Sequence, residues 1–124
     1  MSSHADETTV RRWFDAFNSR DLEGMLACMH PNVDLHPLHL HGIGGAYEGH
    51  AGVREWFASL QRLEHRHRID LSETSTIGDG RVIAAGTLSG GDPDGPSSFW
   101  ALDRLEGGMI VAARHHLSNQ FHLR

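Results

Sequence analysis

Asp34 and His36 stand two residues apart in the run Val33-Asp-Leu-His-Pro37. In an extended chain that spacing puts both side chains on one face. A carboxylate beside an imidazole raises its pKa and selects its tautomer, which is how a general base is oriented. In that role His36 removes a proton from a carbon acid or activates a water, and Asp34 holds the ring. His115 is the second candidate. It shares strand parity with Val111, Ala113 and Leu117, an apolar row of the kind that faces a core, so His115 points inward and His116 outward. Tyr47, the only tyrosine, can donate its phenol to a substrate oxygen. Each of these residues also has a plain structural alternative: a solvated pair at a strand end, a core histidine, a tyrosine packed under a helix.

The chain holds eleven histidines among 124 residues. His36, His39 and His41, with His115, are the ligand set for the alternative of a multi-histidine metal enzyme. Their spacing matches no strong metal motif, so the expectation is no metal and no organic cofactor. Every basic residue is arginine, which removes Schiff-base chemistry on a lysine. Cys28 stands alone, so no internal disulfide can form, and no activating neighbour makes it a nucleophile. Nucleophile-elbow, P-loop and dinucleotide fingerprints are missing. A net charge of −5 and a pI near 6.1 argue against nucleic acid, since few cations are available to replace phosphate counterions. No apolar run is long enough to span a bilayer. The polar first residues resemble no leader, so a cytoplasmic protein is expected.

The elements that must position these residues follow from periodicity. Val10, Trp13, Phe14 and Phe17, then Leu22, Met25, Leu26 and Met29, then Val53, Trp56, Phe57 and Leu60 each recur at i, i+3, i+4 and i+7, which is one apolar helical face apiece. Asp6 or Thr8 is the candidate cap of the first helix and Asp21 of the second. Pro31 ends the second helix. A short strand is expected over 33–37, a glycine-rich loop over 38–49, and strands over 69–77, 81–89, 98–105 and 109–118. Turns at Gly78-Asp79-Gly80 and Glu106-Gly107-Gly108 join the last four strands in two hairpins. In the 69–77 strand, Ile69, Leu71 and Ile77 fall on one parity. The expected class is α+β, a curved, antiparallel-rich sheet wrapped around three helices in one domain over 1–124. A cone of that shape holds a small-molecule cavity between sheet and helices, with Trp13, Phe17 and Trp56 as substrate-binding walls and Tyr47 at its mouth. Trp100 and Leu102 fall on the outer sheet face, an apolar patch that a homodimer would cover.

The run Val10-Arg-Arg-Trp-Phe-Asp-Ala-Phe-Asn-Ser-Arg-Asp-Leu-Glu-Gly-Met-Leu-Ala27 resembles the opening helices of the nuclear transport factor 2-like superfamily. That group includes ketosteroid isomerase and the SnoaL-like polyketide cyclases. Residues 33–37, 47–57 and 104–110 agree with it in the same order. The resemblance implies a cone-shaped, cystatin-like α+β barrel. It places His36, before Pro37, at the isomerase's catalytic-base position, and Trp13 where the isomerase has an oxyanion-donating tyrosine. The isomerase's protonated aspartate aligns near Ala101, with Asp103 two residues on and of the same parity, which makes Asp103 a substrate-binding candidate. The implied activity is general acid–base proton transfer: isomerisation, cyclisation or dehydration of an apolar carbonyl or hydroxyl compound. A non-catalytic small-molecule binding or dimerisation domain is the alternative on the same fold.

Overall fold

The computed structural model describes residues 2–39, 43–63, 66–90 and 96–117. Two helices open the chain, α1 (Ser2–Asn18) and α2 (Leu22–Ala27), followed by strands β1 (Met29–His36) and β2 (Tyr47–Glu48) and helix α3 (Gly49–Arg62). Four long strands complete it: β3 (Arg68–Thr76), β4 (Arg81–Ser89), β5 (Ser97–Glu106) and β6 (Met109–Leu117). The six strands form one mixed sheet in the order β2-β1-β6-β5-β4-β3. Only the β1–β6 pairing is parallel. The sheet curves around the helices but does not close, because β2 and β3 remain as edges.

The apolar faces of α1 and α3 do what their periodicity requires. Val10, Trp13, Phe14 and Phe17 of α1 and Val53, Trp56, Phe57 and Leu60 of α3 are all buried against the concave side of the sheet. Burial of such side chains, at ~2 kcal/mol each, is the main term that holds helices to sheet. The two-residue Gly107-Gly108 turn has both φ angles positive, 59° and 80°. That backbone matches the twist of the flanking strands and suits glycine.

Local readings change in four places. Helix α1 starts at Ser2, so Asp6 and Thr8 are interior positions; Thr8 donates its hydroxyl to the His4 carbonyl instead of capping. Asp21 does cap α2, accepting from the Gly24 amide at 3.0 Å. Met29, the last member of the second helical stripe, is the first residue of β1, and Pro31 sits within that strand. The register against β6 shifts between Met29 and Asp34, and such an irregularity is where a strand tolerates a proline. On β3 a bulge between Leu71 and Glu73 reverses the side-chain parity. Ile69 stays buried, but Ile77 is exposed, and Thr74 and Thr76 turn toward α1 to donate to Glu7 at 2.8 and 2.7 Å.

The end of α1 is tied to β3 by side chains. Asn18 acts as a substitute strand: its amide donates to the Ile69 carbonyl at 2.8 Å and accepts from the Ile69 amide at 2.9 Å. Arg20 takes the left-handed position after the helix (φ 59°), a place usually given to glycine or asparagine. Its guanidinium donates to the Phe17 and His67 carbonyls, both at 2.9 Å. These contacts hold Phe17 and Ile69 side by side at one end of the cone.

Candidate functional site

The concave face of the sheet carries two buried ionisable groups, His115 on β6 and Asp103 on β5. Both alternate with buried neighbours, Ala113 and Leu117 for His115, Ala101 and Leu105 for Asp103. The antiparallel register sets His115 opposite Ala101 and Asp103 opposite Ala113. The two are therefore diagonal neighbours on one face, roughly 7 Å apart, with Asp103 one step deeper toward the hairpin.

Three aromatic rings surround His115: Trp13 at 5.2 Å, Phe14 at 5.4 Å and Phe99 at 5.7 Å between centroids. Burial among them, with a smaller contribution from His116, pushes the His115 pKa down to about 3. The ring is uncharged at neutral pH, with one nitrogen as donor and the other as acceptor. Asp103 moves the opposite way. Burial alone raises its carboxyl to about 8, and its Oδ1 meets no hydrogen-bond partner among the described residues. It is a carboxylic acid, with a proton to donate, at neutral pH.

A narrow cavity opens beside His115, walled by Trp13, Phe17, Leu38, Trp56 and Ile69. Its volume is about 10 Å³, room for one water molecule. Trp13, Phe17 and Trp56 lie nearly parallel, with interplanar angles of 8° to 17° and centroids about 6 Å apart. Trp13 donates its indole N–H to the Met29 sulfur at 3.2 Å.

The Asp34–His36 pair exists as the spacing implies: the His36 Nε2 lies 3.1 Å from one Asp34 carboxylate oxygen and 3.2 Å from the other. It lies, however, on the opposite face of the sheet from His115. Val33 and Leu35 are the wholly buried residues of β1. Leu35 pairs with buried Ala113, whereas His36 pairs with exposed Arg114 and Asp34 with Ala112. His36 is half-buried on the outer face, two residues before Leu38 of the cavity wall. Tyr47 pairs with Leu35 and packs against the core at the β2 edge, away from the described cavity wall. Gly52 of α3 sits so close to the Tyr47 backbone that a Cβ there would come within 3.0 Å.

Of the histidine ligand set, His41 and the neighbouring Leu40 and Gly42 lie outside the described residues, as does His65. His39 is exposed, and a Cβ on Gly44 would meet its ring at 2.5 Å. Among the described residues no three His, Cys, Asp or Glu side chains converge as metal ligands would. His50 faces the Met29 carbonyl at 2.9 Å and so ties α3 to β1. Cys28 is buried, which raises its thiol pKa and makes it inert. Within the described residues no helix is long and apolar enough to cross a membrane.

A profile of the SnoaL-like domain matches residues 10–113. The chain belongs to the SnoaL-like domain family. No curated protein matches it. Among solved structures, the chain is similar to a nuclear transport factor 2-like protein of unknown function from Burkholderia pseudomallei, at 27% identity, TM-score 0.79, covering 94% of this chain and 92% of that one. TerC, co-crystallised with polyporic acid, is similar at 24% identity and TM-score 0.79, covering 94% and 93%. A provisionally named polyketide cyclase from Sinorhizobium meliloti shares 16% identity at TM-score 0.75, covering 88% and 94%. The last two likenesses concern fold alone.

Two wall residues of this SnoaL-like cone, Leu38 and Ile69, were not singled out from sequence. Ile69 opens the alternation of β3 and carries a usable signal. Leu38 follows Pro37 in a loop whose direction no local pattern reveals.

Proposed function

We propose that this SnoaL-like protein is an acid–base enzyme for a compact, apolar, carbonyl- or hydroxyl-bearing molecule, and that its reacting groups are His115 and Asp103. The observation that carries this reading is the juxtaposition of two buried ionisable groups on one concave face, His115 in the cavity wall and Asp103 diagonal to it and one step deeper, where burial keeps the imidazole uncharged and the carboxyl protonated. Two ionisable groups pushed apart in pKa supply an acid and a base at one pH. With a ketone bound, the unprotonated His115 nitrogen accepts a proton from the carbon next to the carbonyl. The C–H electron pair becomes the enol double bond, and the Asp103 carboxyl donates its proton to the carbonyl oxygen where charge develops. Negative charge forming beside the imidazole raises its proton affinity at that moment. The reverse transfers return a proton to carbon. The cavity has room for only one water, so a ligand must part the wall to enter.

The test is exchange in D2O. Incubation with flat ketones, 1-tetralone first, should introduce deuterium beside the carbonyl, as followed by proton NMR. His115→Ala should abolish it. Binding without exchange would favour the alternative of a non-catalytic binding domain.

A second reading keeps His36 as the base, favoured by its 3.1 Å contact with Asp34 and its closeness in sequence to Leu38. Loss of exchange in His36→Ala, with His115→Ala active, would move the chemistry to the end of β1. We also propose a homodimer through the outer sheet face. There Trp100, Leu102, Ile83 and Ala85 form adjoining cross-strand pairs, with Trp100 stacked on His116 at 4.3 Å. Leu102→Arg should shift sedimentation toward monomer.

A further inference from the structure

The strand pairings draw one row of five residues across the outer face of the sheet. Glu48 of β2 stands beside Asp34 of β1, Asp34 beside Ala112 of β6, Ala112 beside Arg104 of β5, and Arg104 beside Arg81 of β4. Residues paired in this way project to the same side. Asp34 alternates along its strand with buried Val33 and Leu35, Arg104 with buried Asp103 and Leu105, and Arg81 precedes buried Val82, so that side is the outer one. The row therefore reads acid, acid, alanine, base, base. Each end is a like-charge pair of direct neighbours, an arrangement that weakens a sheet. Asp34 and Arg104 stand about 10 Å apart at the backbone, two strand spacings across Ala112. Asp34 meets His36 and Arg104 meets Glu106, and among the described residues no ion pair joins the two ends of the row. Glu48 and Arg81 are exposed and belong to no ion pair among the described residues.

We propose that this row sets how two copies of the chain are turned when they pack face to face. The inference rests on the homodimer through the outer sheet face and adds its orientation. When two copies meet through one face, their two-fold axis lies in the plane between them. An axis running across the strands keeps the order of the row in the second copy and stacks acids on acids and bases on bases. An axis running along the strands reverses that order. Glu48 and Asp34 of each copy then lie over Arg81 and Arg104 of the other, with Ala112 near the axis. The row, turned about its middle, is its own complement, which is why a second copy is the occupant it fits. Leu102 and Ile83, neighbours in the next row, add apolar area beside the charges. Arg114, on β6 in that row, lies near the axis, where the approach of its own copy is tempered by Asp34, its diagonal neighbour.

Two double variants of the full chain test it. Asp34→Arg with Glu48→Arg makes the row wholly basic, and Arg81→Glu with Arg104→Glu makes it wholly acidic. Sedimentation velocity at low ionic strength reads dimer affinity, and native mass spectrometry of mixtures reads which chains pair. The unmodified dimer should dissociate more readily as salt rises. Each variant alone should pair with itself about a hundredfold more weakly than the unmodified chain. An equal mixture should restore a mixed dimer, because an acidic row then faces a basic one. Glu48→Arg and Arg81→Glu are the single-site versions should a double variant not fold. Variants that dimerise as tightly as the unmodified chain would overturn the inference while keeping the dimer, since an axis across the strands, or a row outside the interface, predicts no loss. Weakened variants whose mixture stays monomeric would overturn it too, because the loss would then not be one of charge pairing. If the unmodified chain is monomeric at its highest soluble concentration, the dimer reading fails and this inference falls with it.

Discussion

Asp103→Asn should change how stability depends on pH in a way that also exposes His115. The Asp103 carboxyl moves from 3.8 to about 8 on folding. Between those values the folded state holds a proton that the unfolded chain has lost, so stability falls as pH rises, by about 1.4 kcal/mol per pH unit. His115 moves from 6.5 down to about 3. Between those values the unfolded chain holds the extra proton, so stability rises with pH at the same rate and is fully present only above the unfolded value. From about pH 4 to 6.5 the two slopes cancel, and their joint contribution is flat. From 6.5 to 8 only the Asp103 slope remains, worth roughly 2 kcal/mol of loss. Asparagine has nearly the same shape and does not titrate. The difference in unfolding free energy, variant minus unmodified protein, should therefore climb by roughly 3 kcal/mol between about pH 4 and 6.5 and continue upward to pH 8. His115→Phe should do the reverse, its advantage growing as pH falls below about 6.5. Urea unfolding across about pH 4 to 9, with unchanged slope against denaturant, measures this. Taking the difference removes the background from the other carboxylates. Parallel pH curves for Asp103→Asn and the unmodified protein would show that Asp103 is ionised in the folded state, and the proton donor assigned to it would disappear.

Three further outcomes follow from particular contacts. Asn18→Ala removes both hydrogen bonds between α1 and Ile69 and should cost about 1–3 kcal/mol in chemical denaturation, with faster amide exchange at Ile69. Gly86→Ala would put a Cβ 2.1 Å from the Asp70 carbonyl oxygen. Because that neighbour is backbone, β3 must shift, and thermal unfolding should show a loss of about 2 kcal/mol or more. His36→Ala breaks a pair whose members are 33% and 45% exposed; stability should change by under about 1 kcal/mol, and tetralone binding, read by fluorescence quenching, should be unaffected.

Periodicity and turn signals identified the three helices and the four long strands, but not β2, which falls inside the expected 38–49 loop. The i, i+3, i+4, i+7 faces of α1 and α3 are legible because a helix must bury one stripe, and the two hairpins because glycine clusters interrupt alternating runs. The parity of β6 correctly turned His115 inward and His116 outward. It failed for Ile77, where one bulge residue reverses every later side chain, and for Met29, whose burial suits a helix stripe and a strand equally well.

The Asp34–His36 contact was also readable, since two residues on one strand face meet without help from the rest of the chain. Which face that is could not be read locally. It depends on β1 joining β6 in parallel, with Leu35 beside Ala113, a pairing between residues far apart in sequence. The closeness of Asp103 and His115 likewise arises only from the β5–β6 register. Their opposite pKa shifts arise mainly from burial, because desolvation belongs to the packed interior and not to any residue alone. Sequence by itself therefore determined the α+β class, the helices and hairpins, and an inventory of histidines and acids with no lysine among them. Tertiary structure decided which members of that inventory are removed from water, and so which hold a proton.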